Sequence, residues 1–171
     1  MKKKINNNLI VIINVIVLIL FIIPSFKLNL FDENYSTLSL TTKGYLYVLF
    51  LGIAIGILLA YEMYIITNNK INALLMFLSL LIGTIVPHHV PYNLQGNLHM
   101  LFAYIGFVGL VIMTTLNIKN IKVKSIYFFM LFVSVAFYLK CSMVNTLSEI
   151  IVMISSLLVN LYSYISIVYL K

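Results

Sequence analysis

Four side chains could form a reactive group. His88, His89 and His99 fall within twelve residues, and Glu149 follows a short segment after Lys140 and Cys141. Three imidazoles and a carboxylate are the donor set of a zinc ion that keeps a place for an activated water, so this group could serve a hydrolase. The spacing is unspecific, however. Adjacent histidines point different ways in most backbones, and neither H-x-x-x-H nor H-E-x-x-H occurs. Glu149 also has a plainer role, because an acid in a first helical turn offsets the helix dipole, with Ser148 as the expected N-cap. Lys140 then either pairs with Glu149 or reaches out to water. Cys141 is the single cysteine, which rules out an internal disulfide and any C-x-x-C redox or zinc motif.

Glu62 is the second candidate, set among Ala60, Tyr61, Met63 and Tyr64 in an apolar run. An ionised carboxylate in hydrocarbon costs roughly 2–3 kcal/mol, whereas each Leu or Ile gains about 0.3–0.6, so the segment still inserts. Functionally it reads as a proton, cation or polar-ligand site. Asn14, and Thr114 or Thr115, lie at similar depth as partners, and Asn160 adds an amide on the last segment. The plain alternative is a carboxyl within a turn of the interface that reaches for water or is protonated and hydrogen-bonded. Gly52, Gly56 and Ala60 form a small-xxx-small stripe that admits a close helix, within the chain or from a membrane-protein partner or second copy. Glu62 lies about 80° from Gly52 by helical phase and further from Ala60, so the stripe is not part of its site.

These groups sit in a chain of 171 residues that is 63% hydrophobic and 9% charged, with a mean hydropathy of +1.09. Such a chain has too little polar surface to coat a water-soluble globule. It reads as one all-α transmembrane domain, 1–171, with six spans near 9–26, 44–67, 72–87, 98–117, 125–144 and 147–170. The first resembles a signal peptide but lacks a small-x-small cleavage site, since Pro24, Ser25 and Phe26 follow. The third is short for a span and ends at Pro87, and Asn97 is the expected N-cap of the fourth.

The formal charge of +7 would point to nucleic acid in a soluble protein, but here the lysines flank the spans. Lys2, Lys3, Lys4, Lys70, Lys119, Lys122, Lys124 and Lys171 fall on one side, against Lys27, Lys43 and Lys140 on the other. The lysine-rich side, with both termini, is therefore expected in the cytoplasm. Ser155, Ser156, Asn160, Ser163 and Ser166 on the last span offer interhelical bonds of about 0.6 kcal/mol each. Tyr35, Tyr45, Tyr47, Tyr92, Tyr127 and Tyr138 sit near span ends, as in an aromatic belt.

The order of short motifs resembles the bacterial six-helix membrane family known as domain of unknown function 998, and more distantly DRAM-like membrane proteins. The matching pieces are the Pro-containing end of the first span, Asn34-Tyr35-Ser36 through Leu40, Gly83-Thr84-Ile85-Val86-Pro87, Leu98-His99 and Ser148-Glu149. Where that family has a Ser-Asp-Leu-Gly element after its first span, this chain has Ser39-Leu40-Thr41-Thr42. The resemblance implies a six-helix fold in a bacterial plasma membrane, with His99 and Glu149 as the family-like positions, but supplies no mechanism. With no strong catalytic motif, the chain reads as a non-enzymatic bundle that binds a membrane partner or a lipid-like or small ligand and needs no cofactor. A transporter subunit and a zinc hydrolase of lipid or envelope precursors are the alternatives.

Overall fold

The computed structural model describes residues 7–86, 94–141 and 144–169. The described residues form seven α-helices and no strand: α1 (Asn7–Ile22), α2 (Tyr35–Leu38), α3 (Thr42–Thr67), α4 (Lys70–Ile85), α5 (Leu94–Asn117), α6 (Ile121–Cys141) and α7 (Thr146–Val168). A 3-10 turn, Ile23–Lys27, extends α1 around Pro24. Five segments are at least 20 residues long and apolar enough to cross a membrane: Asn8–Lys27, α3, α5, α6 and α7. With 16 residues, α4 spans only about 24 Å of a hydrocarbon core near 30 Å thick. This is the architecture of a multi-pass membrane protein.

Local chemistry sets the helix ends, and it moves several of the expected ones. Thr41 receives the Gly44 N–H on its hydroxyl at 3.1 Å, so α3 starts at Thr42. Asn68 turns left-handed at φ 52° to close α3, and Asn69 caps α4 by accepting from Ile71 and Asn72. That two-residue turn makes α3 and α4 antiparallel neighbours. Asn120 accepts from Lys122 at 2.9 Å and begins α6 at Ile121, four residues earlier than expected. The fifth helix begins at Leu94, which puts Asn97 inside its first turn and not at its cap. In α7 the N-cap is Asn145, and Ser148 completes a reciprocal capping box as its third residue.

Successive long helices alternate in direction, and hydrogen bonds at both ends fix the register. At the lysine-rich end the Tyr169 hydroxyl donates to Asn8 Oδ1 at 2.9 Å. At the other end Tyr45 donates to the Ile85 carbonyl at 2.8 Å, and Tyr47 to the Leu20 carbonyl. The central helix is α3, packed on α1, α4, α5 and α7. Ile10, Asn14, Val17 and Phe21 form the buried stripe of α1 at a helical period. The outermost helix is α6, packed chiefly on α7 and exposing Phe128, Phe129, Phe132 and Leu139, a surface suited to lipid and not to water.

The glycine stripe faces α4. A methyl group on Gly52 would come within 2.6 Å of Thr84 Cγ2, and one on Gly56 within 3.1 Å of the Phe77 ring. Both positions are closed by the chain's own helix. A second close approach joins α4 to α5, where a methyl on Gly106 would sit 2.9 Å from Gly83 Cα.

Candidate functional site

Antiparallel packing of α1 on α3 brings Asn14 against Glu62, five residues before the end of α3. Glu62 has no exposed surface and Asn14 is 4% exposed. The Asn14 amide nitrogen donates to Glu62 Oε1 at 2.7 Å and to the Ile10 carbonyl of its own helix at 3.0 Å, which uses both its hydrogens. Glu62 Oε2 and Asn14 Oδ1 are buried with no hydrogen-bond partner. Two acceptors on touching side chains therefore lack donors, and a buried acceptor without a donor costs about 1–3 kcal/mol. Beside Asn14 a cavity of about 40 Å³ is lined by Val15, Leu18, Leu157, Leu158 and Leu161. It has room for one or two waters at most.

A second polar group joins α5, α6 and α7. Asn117 donates to Asn160 Oδ1 at 2.5 Å, and Asn160 donates to Thr114 Oγ1 at 3.1 Å and to the Ser156 carbonyl at 2.8 Å. Asn117 Oδ1 is buried without a partner. Tyr127, expected in an aromatic belt, is wholly buried and bonds Ser156 Oγ at 3.0 Å, because α6 turns it toward α7 and away from the interface. Of the partners expected for Glu62, Asn14 is beside it, whereas Thr114 is held by Asn160. The bond between Asn117 and Asn160 was the pairing that sequence reasoning missed. The sequence carries no depth signal for it, since Asn117 ends α5 while Asn160 lies eight residues inside α7.

The lysine-poor end is closed by the segment between α1 and α3. Asn34 caps α2 by accepting from Thr37 at 3.1 Å, and its amide donates to the Val144 carbonyl at 3.3 Å. Thr146 donates its N–H and its hydroxyl to the Glu33 carbonyl at 2.6 and 2.8 Å. Glu149 accepts the Tyr35 N–H at 2.6 Å, so it serves the first turn of α2 as well as its own helix. Lys140, the other partner considered for Glu149, points outward and is exposed. Tyr35 lies outside the spans and is buried rather than at a belt, its ring stacked on Phe21 at 4.5 Å and its hydroxyl donating to the Phe21 carbonyl. Burial pushes its phenol well above the ordinary value, so it stays protonated and donates.

His99 is placed in this same closure. Its Nδ1 is 2.6 Å from the Val86 carbonyl and its Nε2 is 2.9 Å from Ser36 Oγ, linking α5 to the end of α4 and to α2. Both ring nitrogens are engaged. His88, His89 and Tyr92 lie outside the described residues, and among the described residues no three His, Cys, Asp or Glu side chains converge as a metal site. A larger cleft of about 250 Å³ opens between the turn after α1 and the start of α3, lined by Ile23, Pro24, Lys27, Leu38, Gly44 and Tyr47.

No family model matches the chain, and neither the curated proteins nor the solved structures contain a significant match. The site's own chemistry is therefore the basis for a functional reading.

Proposed function

We propose that this chain is a non-enzymatic multi-pass protein of the bacterial plasma membrane that binds a small cationic or hydrogen-bond-donating species between α1 and α3, at Glu62 and Asn14. The observation that carries this reading is the pair of touching buried side chains with one acceptor oxygen each and no donor for either. An occupant that supplies donors or positive charge removes both deficits together. Eight lysines on one side against three on the other support an orientation with both termini inside and the site in the cytoplasmic half of the membrane. The likeness in motif order to the six-helix family supports the fold and adds no substrate.

The test is thermal unfolding of the detergent-solubilised protein across a pH series and with sodium, potassium or ammonium. An occupant present at ten times its Kd stabilises by about 1.4 kcal/mol. Wild type should respond to at least one of these variables while Glu62→Gln does not. Identical responses from the two proteins would remove the reading. A second reading, an accessory or substrate-binding subunit of a membrane transporter, is favoured by the buried carboxyl and amide of Glu62 and Asn14 beside a small cavity. Co-purification of an energising subunit would support it.

A further inference from the structure

Four atoms define the Glu62 site, and they are complementary in a particular way. The Asn14 amide gives both hydrogens away and has an idle carbonyl oxygen, while the Glu62 carboxyl receives one hydrogen on Oε1 and has an idle Oε2. As a carboxylate, Glu62 is acceptor-only, and nothing then satisfies either idle oxygen. With a hydrogen on Oε2 the same group becomes a donor, and Asn14 Oδ1, on the side chain that already bonds Glu62, is a buried acceptor without a donor.

We propose that Glu62 and Asn14 hold a proton between α1 and α3, the carboxylic acid and the amide closing a ring of two hydrogen bonds, and that this proton is the exchangeable occupant of the site. The inference rests on the binding reading above and names its ligand. A metal cation suits the site less well, because hard cations gather six or more oxygens and the cavity wall beyond Asn14 is Val15, Leu18, Leu157, Leu158 and Leu161. The proton needs no further ligand and leaves no net charge in hydrocarbon.

The elements packed on α3 bring little else that titrates. Among the described residues α1 carries no ionisable group, α4 carries Lys70 at its first residue, and α2 and α5 carry Tyr35, His99 and Tyr104, all toward the lysine-poor half. On α7, Tyr164 is buried near Glu62, with its ring 6.4 Å from Tyr61. Release of the proton to water converts the acid to a carboxylate and sets two bare acceptors against each other across the α1 and α3 contact. That contact therefore loosens when the proton leaves, which couples helix packing to protonation.

The chain has three glutamates, Glu33, Glu62 and Glu149, which makes the carboxyl directly observable. Protein labelled with ¹³C-glutamate and reconstituted in phosphatidylcholine vesicles at neutral pH should give a Glu62 carboxyl signal at the protonated position by solid-state NMR. That signal should correlate with the Asn14 side chain and stay put on adding sodium, potassium or ammonium. Glu62→Gln, whose amide donates in place of the acid, should remove the signal and keep the wild-type melting temperature, whereas Asn14→Leu should lower it. If Glu62→Gln does not fold, Glu33→Gln and the Asn14 correlation assign the signals in otherwise native protein. An ionised Glu62 at neutral pH overturns the proposal. If that ionised signal moves with one of the added cations the binding reading survives, and if it moves with none of them both fail.

Discussion

Removing the carboxylate of Glu149 should unfasten the segment that closes the lysine-poor end, although Glu149 lies more than a hundred residues from that segment in the chain. The side chain accepts the Tyr35 N–H at 2.6 Å, a bond whose loss strands a part-buried N–H and costs about 1.5–3 kcal/mol. It also stands in the first turn of α7, where an acid contributes about 0.3–1 kcal/mol against the helix dipole. Glu149→Ala is therefore expected to destabilise the protein by about 2–4 kcal/mol. At roughly 2–4 °C per kcal/mol for a chain of this size, the melting temperature falls by about 4–16 °C. The assay is fluorescence-monitored thermal unfolding in detergent, with limited proteolysis between Lys27 and Lys43 as a local readout. Lys140→Ala is the control. If an ion pair between Lys140 and Glu149 carried the effect, both variants would lose stability together. In the structure Lys140 is exposed and should stay within about 0.5 kcal/mol of wild type. A Glu149→Ala protein that melts like wild type, or a Lys140→Ala protein that falls as far, would refute this reasoning.

Three further outcomes follow from packing and topology. Gly106→Ala forces a methyl to within 2.9 Å of Gly83 Cα and should cost about 1–3 kcal/mol, whereas Gly83→Ala, with nothing nearer than 3.8 Å, should be close to neutral by the same unfolding assay. Asn160→Leu strands the buried Asn117 amide and Thr114 hydroxyl and should lower stability by about 1–3 kcal/mol, whereas a variant that melts like wild type would show that these bonds do not hold α5 to α7. In a Cys141→Ser background, Asn69→Cys and Asn120→Cys should resist impermeant thiol reagents in intact cells while Lys43→Cys reacts, and the reverse pattern would invert the membrane orientation.

Much of this fold is written in hydropathy, and the spans could be read because a helix in lipid needs a long apolar run. The short third helix was legible for the same reason. Its start was not, since Asn69 accepting from Ile71 and Asn72 is a local hydrogen-bond choice that hydropathy does not report. The same holds for Asn145 over Ser148 at the start of α7: both are good capping residues, and the reciprocal box uses both. The pairing of Glu62 with Asn14 could be anticipated from depth, because few polar groups share that level. The closure at the lysine-poor end could not be anticipated, because Glu33, Asn34 and Tyr35 find their partners more than a hundred residues away on the threshold of α7. Tyr127 shows a related limit: a tyrosine near a span end suits either an interface or a buried hydroxyl partner, and the rotation of α6 decides between them.

The pairing of Glu62 and Asn14 inside the bundle is tested most directly by a double-mutant cycle with leucine at both positions, read as unfolding free energy in detergent or bilayer. Each single replacement leaves a buried polar partner stranded and should lose about 1–3 kcal/mol, while replacing both with apolar side chains should recover most of that loss. Losses that simply add, or single variants as stable as wild type, would contradict the account.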